Sequence, residues 1–147
     1  MRIGIVSDIH GNIAGLDEAL DRMGKVDEVW CPGDAFNQYQ FSNAVVGRLR
    51  EIGARYIRGN HEDILLSPAG KRAQERDEVD IELLEWARSR PHWIRETVED
   101  KTLLMFHSTP WEPFGEYVYP HSGELSRFGE VDADFAIYGH THMKVAR

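Results

Sequence analysis

The chain has 147 residues, 41% hydrophobic and 29% charged, a length that fits one domain with its own core, taken as residues 1–147. Its net charge of −8 excludes the basic footprint that duplex nucleic acid requires, but it is compatible with phosphate chemistry if cations sit among acidic ligands. No apolar run approaches the roughly 20 residues of a membrane span, and a single cysteine, Cys31, excludes an internal disulfide, so a reducing cytoplasm is the expected location.

In chain order, Arg2–Val6 is a short β-rich run that "SDIHGN" interrupts. Ile13, Leu16, Ala19, Leu20 and Met23 then recur at helical spacing, with Gly24 placed to end the helix. Val26–Cys31 is a second strand, stopped by "PGD". Phe41, Ala44, Val45, Leu49 and Ile52 mark a second amphipathic helix ended by Gly53, and Tyr56 and Ile57 a third strand stopped by "GNH". Two such alternations predict βαβαβ with a parallel sheet. Residues 67–80 carry no apolar stripe and read as a solvated loop or helix extension, the alternative being a substrate-facing role for Lys71, Arg72 or Arg76. Val79, Leu83, Leu84 and Ala87 mark a third helix that Pro91 ends. "WIRETVEDKTLLMFH" reads as a hairpin turning at Glu99 and Asp100, Thr109–Pro120 as an aromatic-rich loop, and Phe135–Tyr138 as the last strand.

The polar residues fall in one repeated place. Strand ends deliver Asp8 with His10, then Gly33-Asp34, then Gly59-Asn60-His61-Glu62, then His107, and finally Gly139-His140-Thr141-His142. In an open α/β sheet, ligands bind beyond the carboxyl ends of the strands, so these bursts are expected to meet in space. In extended chain, i and i+2 point to one side, which pairs Asp8 with His10 and His140 with His142. The glycines at 33, 59 and 139 permit sharp turns and close approach. The set of carboxylates, imidazoles and one amide, without thiolates, suits Mn, Fe, Co, Ni or Zn. Seven candidates, Asp8, His10, Asp34, Asn60, His107, His140 and His142, exceed one ion's needs and suit two ions sharing a carboxylate, for which Asp34, with two oxygens, is the natural bridge.

The pieces "SDIHGN", "PGD", "RGNHE", "FHSTP" and "YGHTH", in that order along nearly the whole chain, resemble the calcineurin-like metallophosphoesterases, the small prokaryotic phosphoesterases in particular. The resemblance implies an α/β fold, a four-layer αββα sandwich around two divalent ions, with Mn2+ favoured over Fe, Ni, Co or Zn. It implies that Asp8, His10, Asp34 and His142 hold one ion, that Asp34, Asn60, His107 and His140 hold the other, and that His61 is the acid over the leaving group. The implied reaction is hydrolysis of a small phosphodiester, phosphomonoester or nucleotide by direct attack of a metal-bound hydroxide.

Asn37 stands where protein phosphatases of this superfamily carry the aspartate that orients the acid histidine, and where purple acid phosphatases carry a tyrosine. Neither of those activities is expected. Asn12 either touches substrate or, by preference, caps the first helix. Glu62 and Asp63 are expected as first-turn charges of a helix after "GNH", and His92 and His121 as surface or loop residues. Relatives continue past the last motif with strands that complete the second sheet, so that sheet is expected to be truncated. A homo-oligomer covering the edge at Met143–Arg147 is one way to protect it. The alternative from another class is a metal-binding or catalytically weak interaction scaffold on the same fold. The retention of a competent residue at every ligand position argues against it.

Overall fold

The structure is a computed structural model that describes residues 1–144 and 146; the share of the expected oligomer contact that falls on Val145 and Arg147 lies outside them. Strands β1 (Ile3–Ile5), β2 (Glu28–Cys31) and β3 (Arg55–Tyr56) lie parallel in the order β1-β2-β3, Gly4 facing Val29 and Cys31 facing Tyr56. Their crossovers are α1 (Ile13–Met23) and α2 (Asn43–Glu51), so the predicted βαβαβ unit is present, with ends drawn in by one or two residues. Each helix starts at a side-chain cap, which satisfies an amide that the first turn leaves unpaired. Asn12 accepts from the Gly15 amide at 2.9 Å and Ser42 from the Val45 amide at 3.3 Å.

After β3 the chain enters α3 (Asn60–Leu66) at once, then a 3-10 turn (Pro68–Gly70), α4 (Lys71–Gln74) and α5 (Ile81–Arg88), the last capped by Asp80. Residues 67–80 are thus partly helical where an unstructured loop was one expectation. The gain is local: Gln74 donates to the Leu65 and Ser67 carbonyls, while Lys71 and Arg76 form ion pairs with Glu75 and Glu78.

The second sheet has the order β4-β5-β6. Strands β4 (Trp93–Val98) and β5 (Lys101–Phe106) form the predicted antiparallel hairpin, with Val98 facing Lys101. Glu99 and Asp100 have φ of +48° and +65°, the two positive values of a turn whose twist matches that of its strands. Strand β6 (Phe135–Ile137) joins β5 in parallel.

Two apolar clusters stack these layers. Leu16, Val45, Val46, Leu49, Tyr56, Leu84 and Ala87 are buried between the first sheet and α1, α2 and α5. Trp30 and Ile57 of the first sheet side meet Leu103, Met105 and Ile137 of the second, which binds the two sheets face to face. Outside the second sheet, a 3-10 segment (Gly123–Glu130) sets Phe128 against Phe106 and Tyr138 at ring separations of 5.6 and 5.0 Å. The sandwich is therefore four layers deep, its last layer reduced to that segment.

The edges β1 and β6 border an apolar cleft of about 1060 Å³, lined by Ile3, Ile5, Leu103, Phe128, Phe135 and Ile137. Among the described residues, no helix is long and apolar enough to cross a membrane.

Candidate metal centre

All seven sequence-predicted ligands converge, in two groups. In the inner one, ligand atoms of Asp34, His107 and His140 lie within 4.8 Å of one another. His107 Nε2 is 3.2 Å from His140 Nδ1, 3.3 Å from Asp34 Oδ2 and 2.9 Å from Asn60 Oδ1. In the outer one, His10 Nε2 is 3.1 Å from His142 Nε2, which is 3.4 Å from Asp8 Oδ1. Asp34 stands between them: its Oδ2 is 3.3 Å from His107 Nε2, 3.8 Å from His61 Nε2 and 4.0 Å from His10 Nε2. The sharing expected of two oxygens is thus offered by one, because Oδ1 accepts the His61 amide at 3.0 Å.

The donor set fits a pair of cations. Imidazole nitrogens 3.1 and 3.2 Å apart gather beside carboxylate oxygens within 4.8 Å of one another, and one proton can serve at most one nitrogen of each pair. His107 Nδ1 donates to the Pro32 carbonyl at 2.7 Å, which orients the ring with Nε2 toward the centre. Nitrogen and oxygen ligands without thiolate suit a divalent transition ion.

The backbone reaches this convergence by a route that alternation along a strand does not supply. Asp8, His10, Asp34, His140 and His142 all have positive φ, of +52°, +48°, +55°, +67° and +54°. The extended i, i+2 geometry expected for Asp8 with His10 and for His140 with His142 is therefore replaced by left-handed turns. Each such residue costs about 1–3 kcal/mol and persists only where its surroundings over-determine it. Here the Asp8, His10 and Gly11 amides donate to the Gly33, Asp34 and Ala35 carbonyls at 3.1, 3.0 and 2.9 Å, zipping the two loops together. Close packing completes the constraint. A Cβ on Gly59 would stand 2.3 Å from Asp34 Oδ1, and one on Gly139 would stand 2.1 Å from Ser7 Oγ.

Electrostatics act on these groups unequally. Burial lowers the pKa of His10; burial, reinforced by His107, lowers that of His140 to about 4, so both rings are neutral at pH 7. Burial opposes the charge of Asp34, but the hydrogen bond and charge of His107 outweigh it and hold the carboxyl below its ordinary range. The same contact raises His107 against the opposing effect of its own burial.

His61 lies beside this centre with its tautomer set by the main chain. The Gln38 amide donates to His61 Nδ1 at 3.1 Å, so the proton of the neutral ring is on Nε2, the nitrogen facing Asp34 Oδ2. Asn37, the residue at the position of an orienting aspartate, does not touch this ring; its amide donates to the His10 carbonyl at 3.2 Å. Asn12 is committed to its cap through Oδ1.

Glu62 is more than a first-turn charge. It is fully buried, and its carboxylate accepts the Asp34, Ala35 and Gly59 amides and the Tyr56 hydroxyl at 2.8, 2.8, 2.7 and 2.8 Å. Burial and the Asp34 charge push its pKa up to about 7, while these donors favour the ionised form. The sequence signal was the spacing Gly59-x-x-Glu62, the reach-back half of a capping box. Tyr117 also went unnoticed: its ring stacks on His140 with centroids 3.9 Å apart.

Comparison with known proteins bears on the family and the fold. The model of the calcineurin-like phosphoesterase superfamily domain matches residues 1–147. A metallophosphoesterase structure from Sphaerobacter thermophilus superposes with a TM-score of 0.75 at 27% identity, over 97% of this chain and 61% of that one. A hypothetical protein from Pyrococcus horikoshii OT3 shares the fold, with a TM-score of 0.71, 14% identity, and coverage of 95% of this chain and 69% of that one. The structure of a candidate diadenosine tetraphosphatase matches with a TM-score of 0.61 at 29% identity, over 76% of this chain and 53% of that one. The chain thus spans about 61% of the length of the Sphaerobacter protein. No curated protein matches it.

Proposed function

We propose that this chain, which belongs to the calcineurin-like phosphoesterase superfamily, is a two-metal phosphoesterase whose Asp34 is shared between two divalent ions. The observation that carries this reading is the position of Asp34 Oδ2, in reach of imidazole nitrogens from both ligand groups. Asp34, Asn60, His107 and His140 would hold one ion; Asp8, His10 and His142, with Asp34 again, would hold the other. Bound there, two divalent ions would activate water and neutralise charge on the phosphoryl oxygens, and Mn2+ is the favoured metal.

The residues of the chain perform the rest. In the metal-free chain, the hydrogen bond and charge of His107 outweigh burial and hold the Asp34 carboxyl below the ordinary range. The left-handed turns fix both ligand groups before substrate arrives, so no reorganisation is needed at the moment of reaction. His61 presents Nε2–H to the leaving oxygen. With Nδ1 taken by the Gln38 amide, Nε2 is the nitrogen left to donate. The substrate is a small phosphoester or nucleotide; a nucleotide is what the name of one structural relative specifies.

The interaction-scaffold alternative is disfavoured, since competent ligand residues are present at every position and their His and Asp donor atoms cluster in groups within 4.8 Å. The test is His61→Ala. It is expected to lower kcat by about 10²-fold, at the lower end of what a positioned proton donor contributes, with metal content unchanged. Loss of metal from that variant would place His61 among the ligands and overturn its assigned role.

A further inference from the structure

Beside the inner ligand group lies a strip of rings that the phosphoesterase reading leaves unused. Tyr117 stacks on His140 at 3.9 Å with planes 26° apart; Tyr119 follows at 6.0 Å and 17°, and His121 at 5.6 Å and 13°. The three rings belong to alternate residues and follow one another near-parallel. Val118, between the first two, is buried. Tyr117 is 53% exposed, although it covers His140, which is 5% exposed.

The strip is anchored. Ser108, next to the ligand His107, donates from Oγ to the Glu116 carbonyl, just before Tyr117. Thr109 Oγ1 both donates to the Glu112 carbonyl and accepts its amide, each at 2.8 Å, closing the loop on itself. Near-parallel rings held this way form a row that starts at His140, with the exposed Tyr117 nearest the ligand groups.

We propose that Tyr117 and Tyr119 form a stacking platform for a nucleobase, which makes the substrate class of this centre a nucleotide or nucleoside phosphoester. The proposal rests on the phosphoesterase reading for where the phosphoryl group sits. A phosphoryl group seated at the ligand groups would lie next to His140, on which Tyr117 packs, and a planar base can bury a face on tyrosine that a sugar or glycerol cannot. Stacking recognises the π-face alone, so the platform selects for a base and discriminates little among bases.

The experiment compares AMP with ribose 5-phosphate, which differ only in the base, or their methyl diesters if monoesters are not cleaved. Mn2+-dependent kcat/KM is measured alongside saturation-transfer NMR of free adenosine. The expected ratio in favour of the adenosine compound is about tenfold, carried by KM, with saturation reaching the adenine protons. Tyr117→Ala should bring the ratio to within about twofold of one, Tyr119→Ala should lower it partway, and Tyr117→Phe should keep it. A ratio cancels any loss of active protein in a variant. A wild-type ratio near one, or an unchanged ratio in Tyr117→Ala, overturns the platform. If no ester is hydrolysed, the phosphoesterase reading fails on its own, and the adenosine contact decides the platform: no saturation of the adenine protons, or equal saturation in Tyr117→Ala, overturns it.

Discussion

The two ligand groups use similar residues in opposite surroundings. In the inner group Asp34, His107 and His140 are all buried, the His107 ring is oriented by the Pro32 carbonyl, and the loop carrying Asp34 hangs by two amides from Glu62. In the outer group the His142 side chain is 59% exposed. Asp8 is better held, by Ser7 Oγ and the His140 amide. Supporting contacts and low local dielectric both strengthen metal binding, so the inner position should fill first and exchange slowly, and the outer position should follow free metal concentration. Chemistry that needs both ions would then be controlled by the weaker position.

This asymmetry can be broken in graded steps. Asp34→Ala removes the one residue that faces both groups and should abolish Mn2+-dependent turnover and both steps of a calorimetric Mn2+ titration. Survival of either step at wild-type affinity would mean that the carboxylate is not shared. His107→Ala should remove the tight step, and His142→Ala only the weak one. The reverse outcome would show that burial does not set the order. Glu62→Gln keeps the shape of its side chain but replaces one acceptor oxygen by a donor facing amides. It should weaken the tight step by about 10–100-fold and leave the weak step closer to wild type. Equal weakening of both would point to a general structural role. The smallest expected effect concerns Cys31. The residue is fully buried, and burial raises its thiol far above the ordinary range, so a thiol reagent at pH 8 should not modify the native protein and should modify one thiol per unfolded chain. Reaction in the native state would show that the floor beneath Asp34 opens.

Much of this was legible in the sequence because the chain is punctuated. Apolar runs end at glycine-bearing bursts of ligand residues, and strands of a parallel sheet carry such bursts to one edge. Asn12 announces a helix start, and Glu99–Asp100 falls where alternation demands a turn. What stayed hidden depends on tertiary contacts. Left-handed backbone at Asp8 or His142 is disfavoured locally and is imposed by cross-loop hydrogen bonds between distant segments. The orientation of His61 comes from the Gln38 amide, and a backbone donor leaves no mark in side-chain identity. Glu62 reads as an ordinary helix-start charge until Asp34 and Tyr56 are folded around it. The 3-10 segment Gly123–Glu130 is defined mainly by Phe128 packing on Phe106 and Tyr138, which local sequence does not encode.

The central claim is that these seven residues make a working two-metal centre. It is tested most directly by loading the protein with Mn2+, removing free metal, counting bound ions by plasma mass spectrometry, and assaying a chromogenic phosphodiester and monoester on the same sample at saturating Mn2+. The account predicts about two ions per chain when free Mn2+ is buffered high, about one after extensive desalting, and hydrolysis that a chelator abolishes. A protein that binds no Mn2+ and turns over neither ester would contradict it.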